Sequence, residues 1–328
     1  MEKKIKSPFI SKPLFIQSFK SLKFLFLILT IGAALIFFVI NLTIGSKNIF
    51  TNIDMNSVST YVNDEKLSWL QVLGLLETMG FSLSRIQAMS QMDLNSILSE
   101  LIYKIAGVLL PMIYVIIASN KLVAAQVTDG SMAYVLSTPT NRKTVVRTQY
   151  IFLLLTVTIM YAVITITAFG SEAISTLIAM HRQNASTSNW IPLKTILACL
   201  GSYVAMFGIT GICFGASCFF NKQNNSIAAG GGICVVSFIC CILGLFGNEA
   251  FVAVGIGVKA MYFFSYLSLF TLIDTKSMNN MCDALFTDKT DLSILSFNWI
   301  WEIAILLLIG IIFAYLGGRR FVKKDLPL

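Results

Sequence analysis

The chain has 328 residues, of which 56% are hydrophobic and only 12% are charged. Soluble domains carry about 25% charged residues, so this chain has too few polar side chains to cover a surface that faces water. The composition excludes an ordinary soluble protein and predicts an integral membrane protein. The net charge of +8 would also suit a nucleic-acid partner, but the placement of the charges explains it in another way.

Six apolar runs are long enough to cross a bilayer. A spanning helix needs about 20 mostly apolar residues, because the hydrocarbon core is about 30 Å thick and each residue adds about 1.5 Å. The sequence therefore predicts an all-α integral membrane protein with six transmembrane helices. The predicted spans are residues 24–44, 101–119, 148–170, 195–220, 227–246 and 298–316.

The basic residues lie on one side of these spans. With the N-terminus in the cytoplasm, the inner segments are 1–23, 120–147, 221–226 and 317–328, and they hold fifteen of the 24 Lys and Arg residues but three of the 16 acidic residues. Cytoplasmic loops are enriched in Lys and Arg, so both termini of this multi-pass protein are predicted to be cytoplasmic. The net charge then needs no nucleic acid. The excess of Lys over Arg, 18 to 6, is typical of an AT-rich bacterial genome, which predicts a bacterial plasma membrane.

Four further segments lie outside these spans. Residues 7–22 place apolar side chains near helical spacing between lysines, which predicts an amphipathic helix in the inner headgroup layer. Residues 45–100 are predicted to form an outer loop or a small helical cap; the sequence leaves open whether it contacts substrate or only packs on the bundle. Residues 171–194 are predicted to form a second outer loop. Residues 250–273 are apolar apart from Lys259, but a seventh span would place the last basic cluster outside, so an outer re-entrant or interfacial element is predicted.

Small residues mark the helix faces that are predicted to pack closely. Gly211 and Gly215 are one turn apart in the fourth span, and this spacing lets helix backbones approach each other. A glycine run in the fifth span has no following Lys, so it cannot act as a G-x-x-x-x-G-K-[ST] phosphate loop, and any ATP is expected on another chain. The predicted packing residues, within the chain or at a subunit interface, are Gly208, Gly211, Gly215, Gly230, Gly231 and Gly232.

The sequence offers no constellation for chemistry. The spans contain almost no carboxylates, since Glu302 lies at the outer end of the sixth, and the only histidine is His181. A charge at mid-bilayer costs at least about 2.5–3.5 kcal/mol and is retained for function, so a proton-coupled transporter would show a buried titrating group. We therefore expect no catalytic residue, no metal site and no cofactor in this chain.

The inner loop between the second and third spans is the most informative stretch. Asp129 and Gly130 favour a turn, Ser131 is in N-cap position for a short helix over residues 132–137, and Pro139 ends that helix. The helix is unusually apolar for a loop between spans. Such a helix either binds the groove of a partner protein or lies on lipid.

Three stretches resemble type-2 ATP-binding-cassette (ABC) exporter permeases. DGSMAYVLSTPTNR (Asp129–Arg142) resembles the signature loop of that family, although many members carry Glu at the position of Asp129. RRFVKKDLPL (Arg319–Leu328) is similar to the basic tail of those subunits, and YLSLFTLID (Tyr266–Asp274) resembles their segment before the last span. The layout of six spans agrees over the whole chain.

The resemblance implies a permease subunit that forms the translocation path of an ATP-driven exporter. It implies a homodimer or heterodimer with a second permease, bound to cytoplasmic ATPase subunits that hold Mg-ATP. A secondary transporter and a non-transporting membrane sensor or immunity component remain as alternatives, and the sequence does not indicate the substrate. Within residues 120–147, the residues that the resemblance assigns to ATPase coupling are Asp129, Gly130, Ser131, Met132, Tyr134, Leu136, Pro139 and Arg142.

Overall fold

The computed structural model describes most of the chain, and its described parts are largely helical. The described residues are 9–46, 60–62, 65–67, 94–137, 140–183, 192–247, 252, 257–272, 277–278, 281–282 and 298–324. The α-helices are α1 Lys12–Ser46, α2 Leu94–Leu122, α3 Ala124–Thr128, α4 Ser131–Ser137, α5 Arg142–Gln183, α6 Pro192–Phe219, α7 Gln223–Ser226, α8 Gly232–Leu245, α9 Phe263–Leu267 and α10 Asn298–Lys323. Other elements are a π-helical segment Ile227–Gly231, 3-10 segments Lys259–Tyr262 and Leu269–Leu272, and strands β1 Thr60–Val62 and β2 Glu65–Leu67.

Among the described residues, six helical runs are long and apolar enough to cross a membrane. They are α1, α2 with α3, α5, α6, the run from α7 through α8, and α10, and each of them contains or overlaps one predicted span. Their length follows from the sequence, because each holds at least about 20 residues of high mean hydropathy. The predicted bundle of six apolar helices is therefore present.

α2 and α6 form the centre of the bundle. Two-thirds (67%) of the apolar window of each is buried, against 22% for α1 and α10. α1 packs on α5 and α2, while α10 packs mainly on α6. α1 and α10 leave large apolar side chains such as Phe24, Leu27, Leu308 and Leu316 exposed. An exposed apolar face of this size suits contact with lipid rather than water.

The amphipathic helix predicted at residues 7–22 is not separated from the first span, because α1 begins at Lys12 and continues into that span without a break. Pro13 does not interrupt α1, since it lies in the first turn, where its missing N–H has no helical partner. Leu22 is buried, and the Phe15 and Phe152 rings make an edge contact with centroids 5.2 Å apart. Packing against α5 thus extends the helix beyond the apolar run.

α5 also extends past its predicted span, through the first part of the predicted outer loop 171–194. The amide Nδ2 of Asn41 donates to Ser171 Oγ at 3.2 Å, and the Thr195 hydroxyl donates to the Glu172 carboxylate. These bonds hold the polar part of α5 against α1 and α6. Beyond the apolar run, α5 is therefore stabilised by hydrogen bonds to other helices rather than by an apolar pattern.

The described part of the predicted outer segment 45–100 includes a short hairpin beside the helical bundle. β1 and β2 pair antiparallel with Thr60 opposite Leu67 and Val62 opposite Glu65. β-branched and aromatic residues in β1 favour strand. α2 begins at Leu94, before the predicted span, and the rest of the segment lies outside the described residues.

Residues 257–272 pack along α8 in short helical pieces. Tyr262 contacts Gly247, just past the C-terminal end of α8, and the backbone N–H of Leu269 donates to Ser237 Oγ at 2.7 Å. Ten residues of helix separate Gly247 from Ser237, which is about 15 Å and half of a hydrocarbon core of about 30 Å. The longest α-helical piece in this stretch, α9, has five residues. These described pieces are too short to count among the helices that could cross a membrane.

Glycines allow α6 and α10 to touch backbone to backbone. A Cβ atom at Gly211 would fall on the Gly310 backbone, and one at Gly317 would fall on the Gly215 backbone. Gly208 faces the carbonyl of Leu306 in the same way. The structure thus places three of the predicted packing glycines at a contact within the chain, between α6 and α10.

The glycine run of the fifth span divides between two neighbours. A Cβ at Gly230 would lie 3.2 Å from Cys213 Cα on α6, and one at Gly231 would lie 3.1 Å from the Ile116 side chain on α2. A Cβ at Gly232 would meet nothing within 4 Å, so Gly232 has no packing role within the described residues. The π-helical segment turns successive glycines toward different helices.

We predict that Gly211→Ala destabilises the bundle, whereas the matched change Gly232→Ala does not. The methyl group at 211 must displace the backbone of α10, and overpacking costs about 1–3 kcal/mol or more. At 232 the methyl group enters open space in a helix, where Ala is favoured over Gly. Thermal unfolding of the purified protein in detergent measures the difference. Equal melting temperatures for the two variants would contradict the α6–α10 contact.

Candidate functional site

One end of the bundle collects the cationic side chains and is called the basic end. The ends of α2, α6 and α10 meet the starts of α1, α5 and α7 there: Lys324 Nζ donates to Phe219 O at 2.8 Å, and Lys121 Nζ donates to Ser21 O at 3.2 Å. Within the described residues, Asp129 is the one acidic side chain at this end. The cations are Lys12, Lys20, Lys23, Lys121, Arg142, Lys143, Arg147, Lys222, Arg319, Arg320, Lys323 and Lys324.

At the basic end, α3 and α4 form a helix–turn–helix between α2 and α5. Gly130 forms the turn with φ of +72°, in the left-handed region that side chains other than glycine rarely adopt. The N–H of Ala133 donates to Gly130 O at 3.0 Å, so Gly130 precedes the first turn of α4. Ser131 is the first helical residue, and its hydroxyl donates to Gln126 O at 3.3 Å. The predicted N-cap role of Ser131 is therefore wrong.

Polar side chains, of which Gln149 is buried, hold α3 in place. Gln149 Nε2 on α5 donates to Leu122 O at 2.6 Å and to Gln126 Oε1 at 3.2 Å. The N–H of Gln223 donates to Thr128 Oγ1 at 3.1 Å. Hydrogen bonds to buried amides are costly to leave unmade. α3 is therefore linked to α5 and to the start of α7.

α4 has one face toward the bundle and one toward solvent. Met132 is 1% exposed, and Leu136, one turn later, is half-buried against the core. Tyr134 is 81% exposed. The structure thus divides the predicted coupling residues: Met132 and Leu136 anchor α4, while Tyr134 and its exposed neighbours Asp129 and Ser131 form the free face.

Arg142 does not lie on that free face. Its Nη1 donates to Lys324 O at 2.7 Å, which ties the start of α5 to the end of α10. Burial lowers the pKa of the Lys324 ammonium below its ordinary value, and this group in turn donates to Phe219 O. Arg142 therefore joins the helices that support the site. Pro139, also predicted for coupling, lies outside the described residues.

Sequence reasoning missed the supporting residues Gln149 and Thr128. Gln149 is completely buried, and it stands at the start of the predicted third span as a polar residue in an apolar run. A long amide at that place must find hydrogen-bond partners, so this signal was available. Thr128 carries no comparable signal, since threonine is common in loops and helices alike.

No cofactor or metal site is evident in the described part of the chain. No three His, Cys, Asp or Glu side chains gather there at metal-binding distance. The seven cysteines are buried, and the thiols of Cys213 and Cys234 have their sulfurs 3.5 Å apart.

A family model described as ABC-2 family transporter protein matches residues 17–326, nearly the whole chain. No curated protein and no solved structure matched in the corresponding searches. The matched residues include α2 to α10, all but the start of α1, and the whole α3–α4 element. This match sets aside the secondary-transporter alternative. The chain belongs to the ABC-2 family of transporter proteins and is a multi-pass permease subunit of an ABC transporter.

Proposed function

We propose that this chain works with a second permease as the translocation path of an ATP-driven exporter, and that a separate ATPase drives it by binding α4. The observation that carries this proposal is the exposure of Tyr134 (81%) on a helix that is anchored to the bundle on its opposite face. Large exposed aromatic side chains are typical anchors of protein interfaces. Mg-ATP is held by the ATPase.

The connections of α3 and α4 suit the transmission of movement. Only Val123 separates α2 from α3, and α4 is followed closely by α5. Gln149 links α5 to the end of α2 through Leu122 O. A displacement of α4 by the ATPase therefore moves α2 and α5 together. Coupling requires that the ATPase contact α4 differently in its nucleotide-bound and nucleotide-free states.

The basic end is proposed to face a bacterial cytoplasm. Its cations match the enrichment of Lys and Arg in cytoplasmic loops, and ATP is available on that side. An even number of spans then places both termini in the cytoplasm. The ATPase and the basic end meet on the same side of the membrane.

The packing of the bundle supports a path between two permeases rather than through one. α2 and α6 fill the centre, with side chains such as Met112, Tyr114 and Phe214 almost fully buried. A substrate path through this centre would require these helices to separate. A path between two copies, or between this chain and a related permease, leaves their packing intact.

Fusions to reporter proteins test the predicted orientation of the chain in the membrane. Alkaline phosphatase folds only outside the cytoplasm, so a fusion at Leu328 will be inactive, while a green fluorescent protein at the same position will fluoresce. A phosphatase fusion after Gln183, at the far end of α5, is the matched control and will be active. Phosphatase activity at Leu328 would place the basic end outside and overturn the proposal.

We predict that Tyr134→Glu uncouples the transporter without unfolding the permease. Because Tyr134 is exposed, the bundle tolerates a carboxylate at this position, but an apolar interface does not. Loss of an aromatic anchor costs about 2 kcal/mol or more of binding free energy. We therefore expect at least tenfold weaker co-purification with the ATPase. Lys12→Glu, an equally exposed change at the basic end, is the control. Unchanged ATPase binding by Tyr134→Glu refutes the assignment. Met132→Glu will instead lower the melting temperature, since Met132 is buried.

A further inference from the structure

We propose that a cavity between α5, α6 and α10 binds an anionic phospholipid from the leaflet at the basic end, with its phosphate at the cavity mouth and an acyl chain inside. The cavity has a volume of about 670 Å³, within the range of about 300–1,000 Å³ that is typical of ligand sites. The proposal uses the membrane location of the chain and does not depend on coupling through α4.

The mouth of the cavity carries four cations. Lys143 and Arg147 lie one turn apart on α5, and Arg319 and Lys323 lie one turn apart on α10. Residues at this spacing share one face of a helix, so two cationic pairs border the same opening. None of the thirteen lining residues is acidic. Arg and Lys are the usual partners of phosphate oxygens, so the mouth suits a phosphate group.

Two neighbouring cations of the basic end, Arg142 and Arg320, are engaged away from the mouth. Arg142 donates to Lys324 O, and the Arg320 guanidinium lies 4.6 Å from the centroid of the Phe219 ring. Arg147 is held at the mouth, because its guanidinium lies 5.0 Å from the centroid of the Phe9 ring. A guanidinium over an aromatic face keeps its charge and its outward N–H groups.

The whole cavity, from its mouth to its inner end, is about as deep as one leaflet, and its inner part is apolar. The lining runs along α10 from Lys323 to Ile311, which is about 18 Å of helix, and half of the hydrocarbon core is about 15 Å. On α6 it reaches Phe207, twelve residues before the end of the helix. An acyl chain therefore fits the depth and the polarity of the interior.

Tyr150 marks the boundary between the mouth and the interior. It lines the cavity one turn inward from Arg147, and its ring lies 5.0 Å from that of Phe214. Its hydroxyl is buried and has no hydrogen-bond partner among the described residues. Buried hydroxyl groups are normally satisfied, and the ester oxygens of a phospholipid lie between phosphate and acyl chain, at the depth that Tyr150 occupies.

Other occupants fit the cavity less well. A second copy packed into this cavity would leave the four cations at the mouth without an anionic partner, since the described part of the basic end carries Asp129 as its one acidic side chain. Inorganic phosphate would fill the mouth but leave the apolar interior without contacts. A zwitterionic phospholipid has the acyl chains but no net negative charge to match four cations.

The test is native mass spectrometry of the permease, purified without the ATPase. The protein is kept in detergent with equal amounts of phosphatidylglycerol and phosphatidylcholine that carry identical acyl chains. We expect the wild type to retain phosphatidylglycerol at least tenfold in preference. The double variant Arg147→Gln, Arg319→Gln will lose this preference. The matched double variant Lys20→Gln, Lys222→Gln removes two exposed cations of the basic end outside the cavity and will keep it. Equal retention of the two lipids by wild type, or equal loss in both double variants, overturns the proposal.

A second variant tests the interior independently of charge. Ala314→Trp fills the cavity from α10 and will reduce retention of phosphatidylglycerol, while excess inorganic phosphate will not displace the lipid from wild type. The melting temperature gives a second readout. Added phosphatidylglycerol will raise it for the wild type and for the Lys20→Gln, Lys222→Gln control, but not for Ala314→Trp. A change of oligomeric state in Ala314→Trp with unchanged lipid retention would assign the cavity to a second copy and refute the lipid site.

Discussion

The close contact between α6 and α10 fixes the geometry of the basic end. In a bilayer, apolar side chains gain little by leaving lipid for another helix, so association depends on close packing and on hydrogen bonds between helices. Gly215 meets Gly317 backbone to backbone, just before both helices end. This contact brings Lys324 to the carbonyl of Phe219 and within reach of Arg142. The cavity between α5, α6 and α10 and the support of α4 both depend on this arrangement.

Polar side chains then join the helices around that contact. Ser217 Oγ donates to Ser119 O at 2.7 Å, which links α6 to α2, and the N–H of Ser11 donates to Thr148 Oγ1 at 3.0 Å, which links the start of α1 to α5. Gln149 adds the link to Leu122 O. Each bond lies where water is scarce, so a lost partner is not replaced by solvent. The basic end is accordingly a connected unit, and a force on α4 reaches several spans.

The sequence predicts the six apolar helices because bilayer thickness sets one length for all of them. It predicts neither the continuation of α5 beyond residue 170 nor the unbroken course of α1, since both depend on contacts with distant residues, such as that of Asn41 with Ser171. The Arg142 bond to Lys324 joins positions 182 residues apart, and no local pattern indicates it.

The orientation of α4 shows a different limit. The helix has seven residues, and Met132, Tyr134, Val135 and Leu136 are all apolar or aromatic, so its pattern does not indicate which of them is buried. Only packing against the bundle separates Met132, which is buried, from Tyr134, which is exposed. The sequence indicates that the glycines of α6 form a packing face. It does not indicate that their partner is α10, because several helices could pack against that face.

The path of residues 257–272 has a consequence for biogenesis. These short pieces leave backbone groups that lipid cannot satisfy, and Ser237 of α8 accepts one of them, the N–H of Leu269. Phe270 is buried at the edge of a small apolar gap that α6 and α10 also line. This stretch therefore depends on α8, which precedes it in the chain, for a hydrogen-bond partner, so it can pack only after α8 has formed. α10, which follows it in the chain, then packs against the same gap.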